Sequence, residues 1–247
     1  MDDRPMTLTD HLEALRRALM ISIVALAIAT IAVYFGFRGQ LLVLIMEPIK
    51  ELGINPVFIT PGEAFFTTIK ICFVAAIFLA LPVILWEVWG FVLPALHSHE
   101  RRLIFMLMPA SIVLFAGGIV FGYLVVFPVA IRFLLVTASE GFTPLISISR
   151  YFGFLTLFIL PFGAVFQLPL VIMLLTHLGL VTPGFLAKNR KFAVLIIFVL
   201  AAILTPTPDM ISQALMALPV IALYEVSIWI SYLIRRRRES KTREEGI

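Results

Sequence analysis

Apolar runs long enough to cross a bilayer recur along this 247-residue chain, and they leave little room for any architecture but a helical bundle in lipid. A hydrocarbon core about 30 Å thick is spanned by about 20 apolar residues in α-helix. Within it every backbone polar group must be satisfied inside the segment, which helices achieve. The runs fall at 17–37, 64–92, 103–136, 151–177, 192–204 and 210–234, so the reading is all-α, with six transmembrane helices. Composition agrees: 61% of residues are hydrophobic, 14% are charged and the mean hydropathy is +1.07. Soluble domains average about 25% charged residues, and one core of this size has no room for the apolar excess. The first run lacks a small-residue cleavage site followed by a soluble domain, so it reads as a retained span.

The connections carry the turn signals. Residues 38–61 form a moderately polar stretch with expected turns at Glu47-Pro48 and Gly53-Ile54-Asn55-Pro56. A polar knot, His97-Ser98-His99-Glu100-Arg101-Arg102, separates the second and third runs, and a loop is expected over 139–149. Thr182 is placed to cap a helix in the 182–191 hairpin loop. Thr205-Pro206-Thr207-Pro208-Asp209 reads as a tight reversal, and the charged tail 235–247 as disordered. Prolines 82, 109, 128, 161, 169 and 219 lie inside apolar runs. They predict kinked helices and a curved, concave bundle.

Lysine and arginine concentrate on cytoplasmic loops of membrane proteins. With the N-terminus inside, 14 of the 19 basic residues fall on the inner side, among them Arg16, Arg17, Arg101, Arg102 and the Arg235–Arg238 cluster. Only Arg38, Lys50, Lys70, Arg132 and Arg150 fall outside or within spans. An odd number of spans would move the terminal cluster outside, so both termini are expected in the cytoplasm. The fifth run, about 13 residues, covers only about 20 Å. It either thins the local bilayer or is shielded by neighbouring helices.

Few residues can carry chemistry. Lys70, Glu87, Glu225 and the neutral Gln167 lie in apolar runs, where ionisable or polar groups are costly. Snorkelling accounts for Lys70, helix-to-helix or interfacial hydrogen bonds account for Glu87 and Glu225, and Gln167 can line a polar face of the bundle. Glu100 has two readings: a carboxylate gripping a guanidinium at the membrane surface, or a helix N-terminal cap. There is no phosphate-binding G-x-x-x-x-G-K-[ST] loop, no nucleophile–base constellation and no metal-ligand spacing beyond His97 and His99. The lone Cys72 rules out a disulfide framework, and nothing suggests a nucleic-acid partner. Gly118-x-x-x-Gly122 is the spacing of close helix contact.

Together these segments resemble the TatC family, the polytopic subunit of the twin-arginine protein translocase. His11-Leu12-Glu13-Ala14-Leu15-Arg16-Arg17 resembles the family's N-terminal H-L-x-E-L-R segment. Pro82-Val83-Ile84-Leu85, Trp89, Phe91, Pro94-Ala95-Leu96 and His99-Glu100-Arg101-Arg102 resemble its loop signature, and Phe127-Pro128 and 205–213 add two further matches. The resemblance implies recognition of folded precursors that carry paired-arginine signal peptides. Transport would use the proton-motive force together with single-span TatA- and TatB-type subunits, in a complex holding several copies of this chain in the inner membrane, without a cofactor. It further implies a signal-peptide site containing Glu100, Phe91, Arg16, Pro48, Pro94 and Arg101. Thr205, Asp209 and Gln213 are the expected contacts for a partner helix.

Two positions depart from the family. Its second recognition glutamate falls on Ala14 here, which leaves Glu13 or Asp10 as the substitute. The glutamate usual in the fourth span is Gln167, which keeps hydrogen bonding but cannot titrate. A small-solute secondary transporter is the competing class, although residues 1–120 and 121–247 show none of the repeated halves common in such folds.

Overall fold

A computed structural model describes residues 8–92, 101–137, 144–205 and 209–245. Among them the chain is helical, apart from turns, loops and one isolated parallel bridge between Val57 and Ser147. The helices are α1 (Leu8–Gly36), α2 (Arg38–Lys50), α3 (Glu63–Val92), α4 (Arg101–Phe121), α5 (Phe127–Arg132), α6 (Ile148–Val165), α7 (Leu168–His177), α8 (Pro183–Lys188), α9 (Arg190–Leu204) and α10 (Met210–Glu245). Five stretches are long and apolar enough to cross a membrane: Thr9–Gly36, Glu63–Phe91, Leu107–Thr137, Ile148–His177 and Met210–Arg236. Large apolar side chains such as Phe35, Ile203 and Trp229 are at least 70% exposed. Water does not tolerate so much bare hydrocarbon on one surface, whereas lipid does. The chain is a multi-pass helical membrane protein.

The chain divides into two compact units, Met1–Val113 with Thr143–Gly153, and Leu114–Phe142 with Phe154–Ile247. The first is built on α1 packed along α3. Cys72, Ala76 and Ala80 recur every four residues on α3 and meet Ala29 and Val33 of α1. Small side chains let the two backbones approach, the usual way helices associate where no hydrophobic drive exists between them.

In the second unit, Gly118 and Gly122 lie against α6. A Cβ on Gly118 would stand 2.4 Å from the Phe162 carbonyl oxygen, and one on Gly122 3.2 Å from the Phe162 ring. The expected close contact is therefore present. α7 packs on α10, where the Thr176 and Ser231 hydroxyls share a buried 2.8 Å hydrogen bond. Ile172, Leu186 and Ile228 form a small core beside it.

Several expectations are corrected. The Glu47-Pro48 turn is absent, because α2 runs through Pro48 and ends at Lys50. Pro48 lacks an N–H and so withholds one bond from the turn before it, but its fixed φ suits a helix, and α2 ends two residues later. The turn at Gly53 is present, with φ of 75°. The third run is interrupted by π-helical turns at Gly122–Val126 and Phe133–Thr137. The first directly precedes Pro128, which cannot donate to the carbonyl four residues back. The fourth run breaks at Phe166–Gln167, just before Pro169 at the start of α7. Pro82, Pro109, Pro161 and Pro219 lie inside α3, α4, α6 and α10 respectively. The tail is not a coil as far as it is described, since α10 continues to Glu245. Its Arg, Lys and Glu residues are good helix formers, and they extend a helix already nucleated in the apolar run.

Candidate functional site

At one end of the first unit the start of α1 meets the end of α3. The His11 ring lies 4.2 Å from the Phe91 ring, centroid to centroid, tilted by 31°. Behind this pair the Trp89 indole donates a 3.0 Å hydrogen bond to the Ser111 hydroxyl, tying the last turns of α3 to α4. Phe91 therefore stands on a fixed stem: one face of it meets α1, and the helix bearing it is keyed to α4. The stem leads directly into the segment 93–100.

The sequence candidates distribute unevenly around this point. Asp10, Glu13 and Arg16 are exposed on α1, whereas His11 and Ala14 are half-buried toward α3. Arg101 opens α4. Glu100 and Pro94 lie outside the described residues, as do His97 and His99. Pro48 is half-buried within α2, which lies against α3 with its Ile49 fully buried. It belongs to the end of α3 that begins at Glu63, not to the end that carries Phe91.

The other polar candidates are structural in their contacts. Glu225 accepts a 2.9 Å bond from Arg190, a surface pair joining α10 to α9. Gln167 occupies the break between α6 and α7, where its carbonyl accepts from the Leu170 and Val171 N–H groups. Lys70 is exposed on α3 and Glu87 half-buried. Thr205 ends α9 in extended conformation, and Asp209 Oδ1 caps α10 by accepting from Ser212 N at 2.6 Å. Gln213 Nε2 donates to the Phe198 carbonyl at 3.0 Å, so its amide ties α10 to α9. The Thr182 cap is present: its hydroxyl accepts from Phe185 N. Among the described residues no group of three or more His, Cys, Asp or Glu side chains is arranged to hold a metal ion.

One polar centre was not anticipated. Glu63 opens α3, and its carboxylate accepts from Ile59 N at 2.7 Å, Thr60 N at 3.4 Å and Ser149 N at 3.1 Å. The Ser147 hydroxyl donates to the same carboxylate. The neighbouring bridge adds Val57 N to Ile146 O and Ile148 N to Val57 O, both at 2.9 Å, and the Tyr151 hydroxyl donates to Ile45 O. One carboxylate thus closes the N-terminal ends of both α3 and α6, where negative charge suits the helix dipoles. The Thr60-x-x-Glu63 spacing of a capping box was a readable signal for half of it. The bonds from 147–149 arise 84 residues away and had none.

Residues 10–219 match the family described as TatC, Sec-independent protein translocase protein. A Sec-independent protein translocase protein TatC from Carboxydothermus hydrogenoformans is 45% identical over 99% of this chain and 100% of its own length. Another from Halalkalibacterium halodurans is 37% identical over the whole of both chains. A crystal structure of a twin-arginine translocase receptor, TatC, in the detergent DDM superposes with a TM-score of 0.80 at 37% identity, covering 90% of this chain and 99% of that one.

Proposed function

Because the chain belongs to the TatC family of Sec-independent protein translocase proteins, we propose that it is the receptor subunit that docks paired-arginine signal peptides of folded precursors. As a translocase component it is not an enzyme, and the family assignment displaces the small-solute transporter reading. Its partners are the other parts of the translocation complex and the precursors. In the proposed reading these parts are TatA- and TatB-type single-span subunits and further copies of this chain, and transport draws on the proton-motive force.

The observation that carries the docking site is the meeting of α1 and α3 at His11 and Phe91. It supports a site in which Glu100, on the segment that follows Phe91, and a second carboxylate on α1 face the two cargo guanidiniums. Carboxylates pair with guanidinium bidentately, and an aromatic face adds stacking. Arg16, Pro94 and Arg101 flank that surface in the sequence, and Pro48 acts from the far end of the unit. In the proposed reading the five long spans, with the 15-residue α9, about 22 Å of helix, as a sixth, cross the inner membrane and leave both termini in the cytoplasm; the excess of Lys and Arg on the inner side supports that orientation. Thr205 at the end of α9, with Asp209 and Gln213 at the start of α10, is the proposed landing point of a partner helix.

The test is site-specific photocrosslinking from positions in 93–100 to a radiolabelled precursor in membranes. Crosslinks are expected with an Arg-Arg signal and not with Lys-Lys, and Glu100→Gln should abolish them while the protein stays in the membrane. Equal crosslinking to both signals would overturn the docking site.

A further inference from the structure

The sequence leaves two candidates for the carboxylate on α1, and the packing of α1 separates them. At the start of α1 a stripe of half-buried residues, His11, Ala14 and Ala18, lies on the side that meets Phe91, while the residues between them are exposed; further along, Ala25, Leu26, Ala29 and Val33 pack on α3. That later part meets Cys72, Ala76 and Ala80 of α3, and the stripe meets Phe91 through His11. The rotation of α1 about its own axis is therefore set at both ends.

Helical residues are spaced by about 100° around the axis. Asp10 then lies about 70° from the centre of the His11, Ala14 and Ala18 stripe at the start of α1, and Glu13 about 130° from it. Asp10 borders the stripe that meets Phe91, whereas Glu13 and Arg16 lie toward the opposite face of α1. Ala14 sits on the stripe itself, about 40° from Asp10. A guanidinium stacked on the exposed part of the Phe91 ring lies within reach of a carboxylate that borders the stripe. A carboxylate on the far side of the helix cannot meet it without unwinding the first turns.

We propose that Asp10, and not Glu13, supplies the α1 carboxylate that binds a guanidinium of the signal peptide, with the His11–Phe91 stack as the positioning contact that presents it. This rests on the signal-peptide reading above, and the control below separates failure of the two. His11 touches no ligand in this proposal; it acts through Phe91 and through the rotation of α1.

The experiment measures crosslinking of an Arg-Arg precursor, normalised to full-length protein in the membrane, and its ratio to a Lys-Lys precursor. Asp10→Asn should lower the Arg-Arg signal about tenfold, the loss expected of one charge-assisted hydrogen bond, while Glu13→Gln should leave it unchanged. Asp10→Asn combined with Ala14→Glu should restore it, because position 14 returns a carboxylate to the same side of the helix. His11→Phe, which keeps a ring against Phe91, should retain the Arg-Arg to Lys-Lys ratio, and His11→Ala should collapse it. Loss with Glu13→Gln and none with Asp10→Asn would overturn the assignment, and an unchanged ratio in His11→Ala would overturn the positioning role. Glu100→Gln is the control: no loss there would mean that the docking reading itself had failed, whatever Asp10 does.

Discussion

The indole N–H of Trp89 and the hydroxyl of Ser111 form a buried hydrogen bond of 3.0 Å that joins α3 to α4 across 22 residues of sequence. Trp89 is 8% exposed and Ser111 is fully buried, so neither group has water to turn to. The bond holds the last turns of α3, which lead into the segment 93–100, against the middle of α4.

Trp89→Phe removes the donor while keeping most of the ring. It should lower thermal stability in detergent by about 1 kcal/mol. Ser111→Ala should cost a similar amount, and the double variant should cost less than the sum of the two, as expected of partners in one bond. Additive losses in a double-mutant cycle would show that the bond contributes nothing.

Gly118 has no room for a side chain, because its Cβ would lie 2.4 Å from the Phe162 carbonyl and 2.8 Å from the Phe166 ring. Gly117, its neighbour, has nothing within 4 Å. Gly118→Ala should therefore force α4 off α6 and destabilise the protein by about 1–3 kcal/mol. Gly117→Ala should be neutral or slightly stabilising, since both positions are helical. Matching melting temperatures for the two variants would contradict the packing.

Glu63 holds two segments that lie far apart in sequence. Glu63→Ala removes the acceptor for Ile59 N, Thr60 N and Ser149 N and the partner of the Ser147 hydroxyl. Hydrogen exchange should accelerate at Ile59, Thr60 and Ser149, with no change at the α1–α3 core around Cys72 and Ala76. Unaltered exchange at Ser149 would mean that the carboxylate does not secure the start of α6.

Two of the polar cross-links to α10 should differ in consequence. Arg190 and Glu225 are 50% and 37% exposed in their side chains, so their 2.9 Å pair is solvated. Glu225→Gln should change stability by less than about 1 kcal/mol. Ser231→Ala removes the hydroxyl that Thr176 meets in a fully buried seam and should cost about 1 kcal/mol or more. Greater loss from Glu225→Gln in detergent melting would reverse this ranking.

Much of this protein is legible in its sequence, because the bilayer allows so few solutions. Apolar runs of about 20 residues mark spans whatever their neighbours do, and the glycines of Gly118-x-x-x-Gly122 foretold a contact that needs no side chain. The motifs Phe91, Pro94 and Glu100 carried the family resemblance directly. Proline was a weaker guide. Pro128 and Pro169 coincide with a π-helical turn and a helix break, yet Pro48 and Pro82 sit inside helices, since the cost of a lost hydrogen bond depends on what surrounds the freed carbonyl.

What the sequence determined by itself is the solvent, the helices and the family, all of which follow from local composition and period. What only the tertiary structure decided is which side of each helix faces which neighbour. A period of 3.6 residues relates Asp10 to Glu13 within α1 but says nothing about how α1 is turned toward α3. That turn is set by small residues fitting between backbones and by one ring on another, contacts made by residues about 40 to 80 positions apart in the chain. The carboxylate of Glu63 follows the same rule, since three of its donors come from its own turn and from a segment more than 80 residues later.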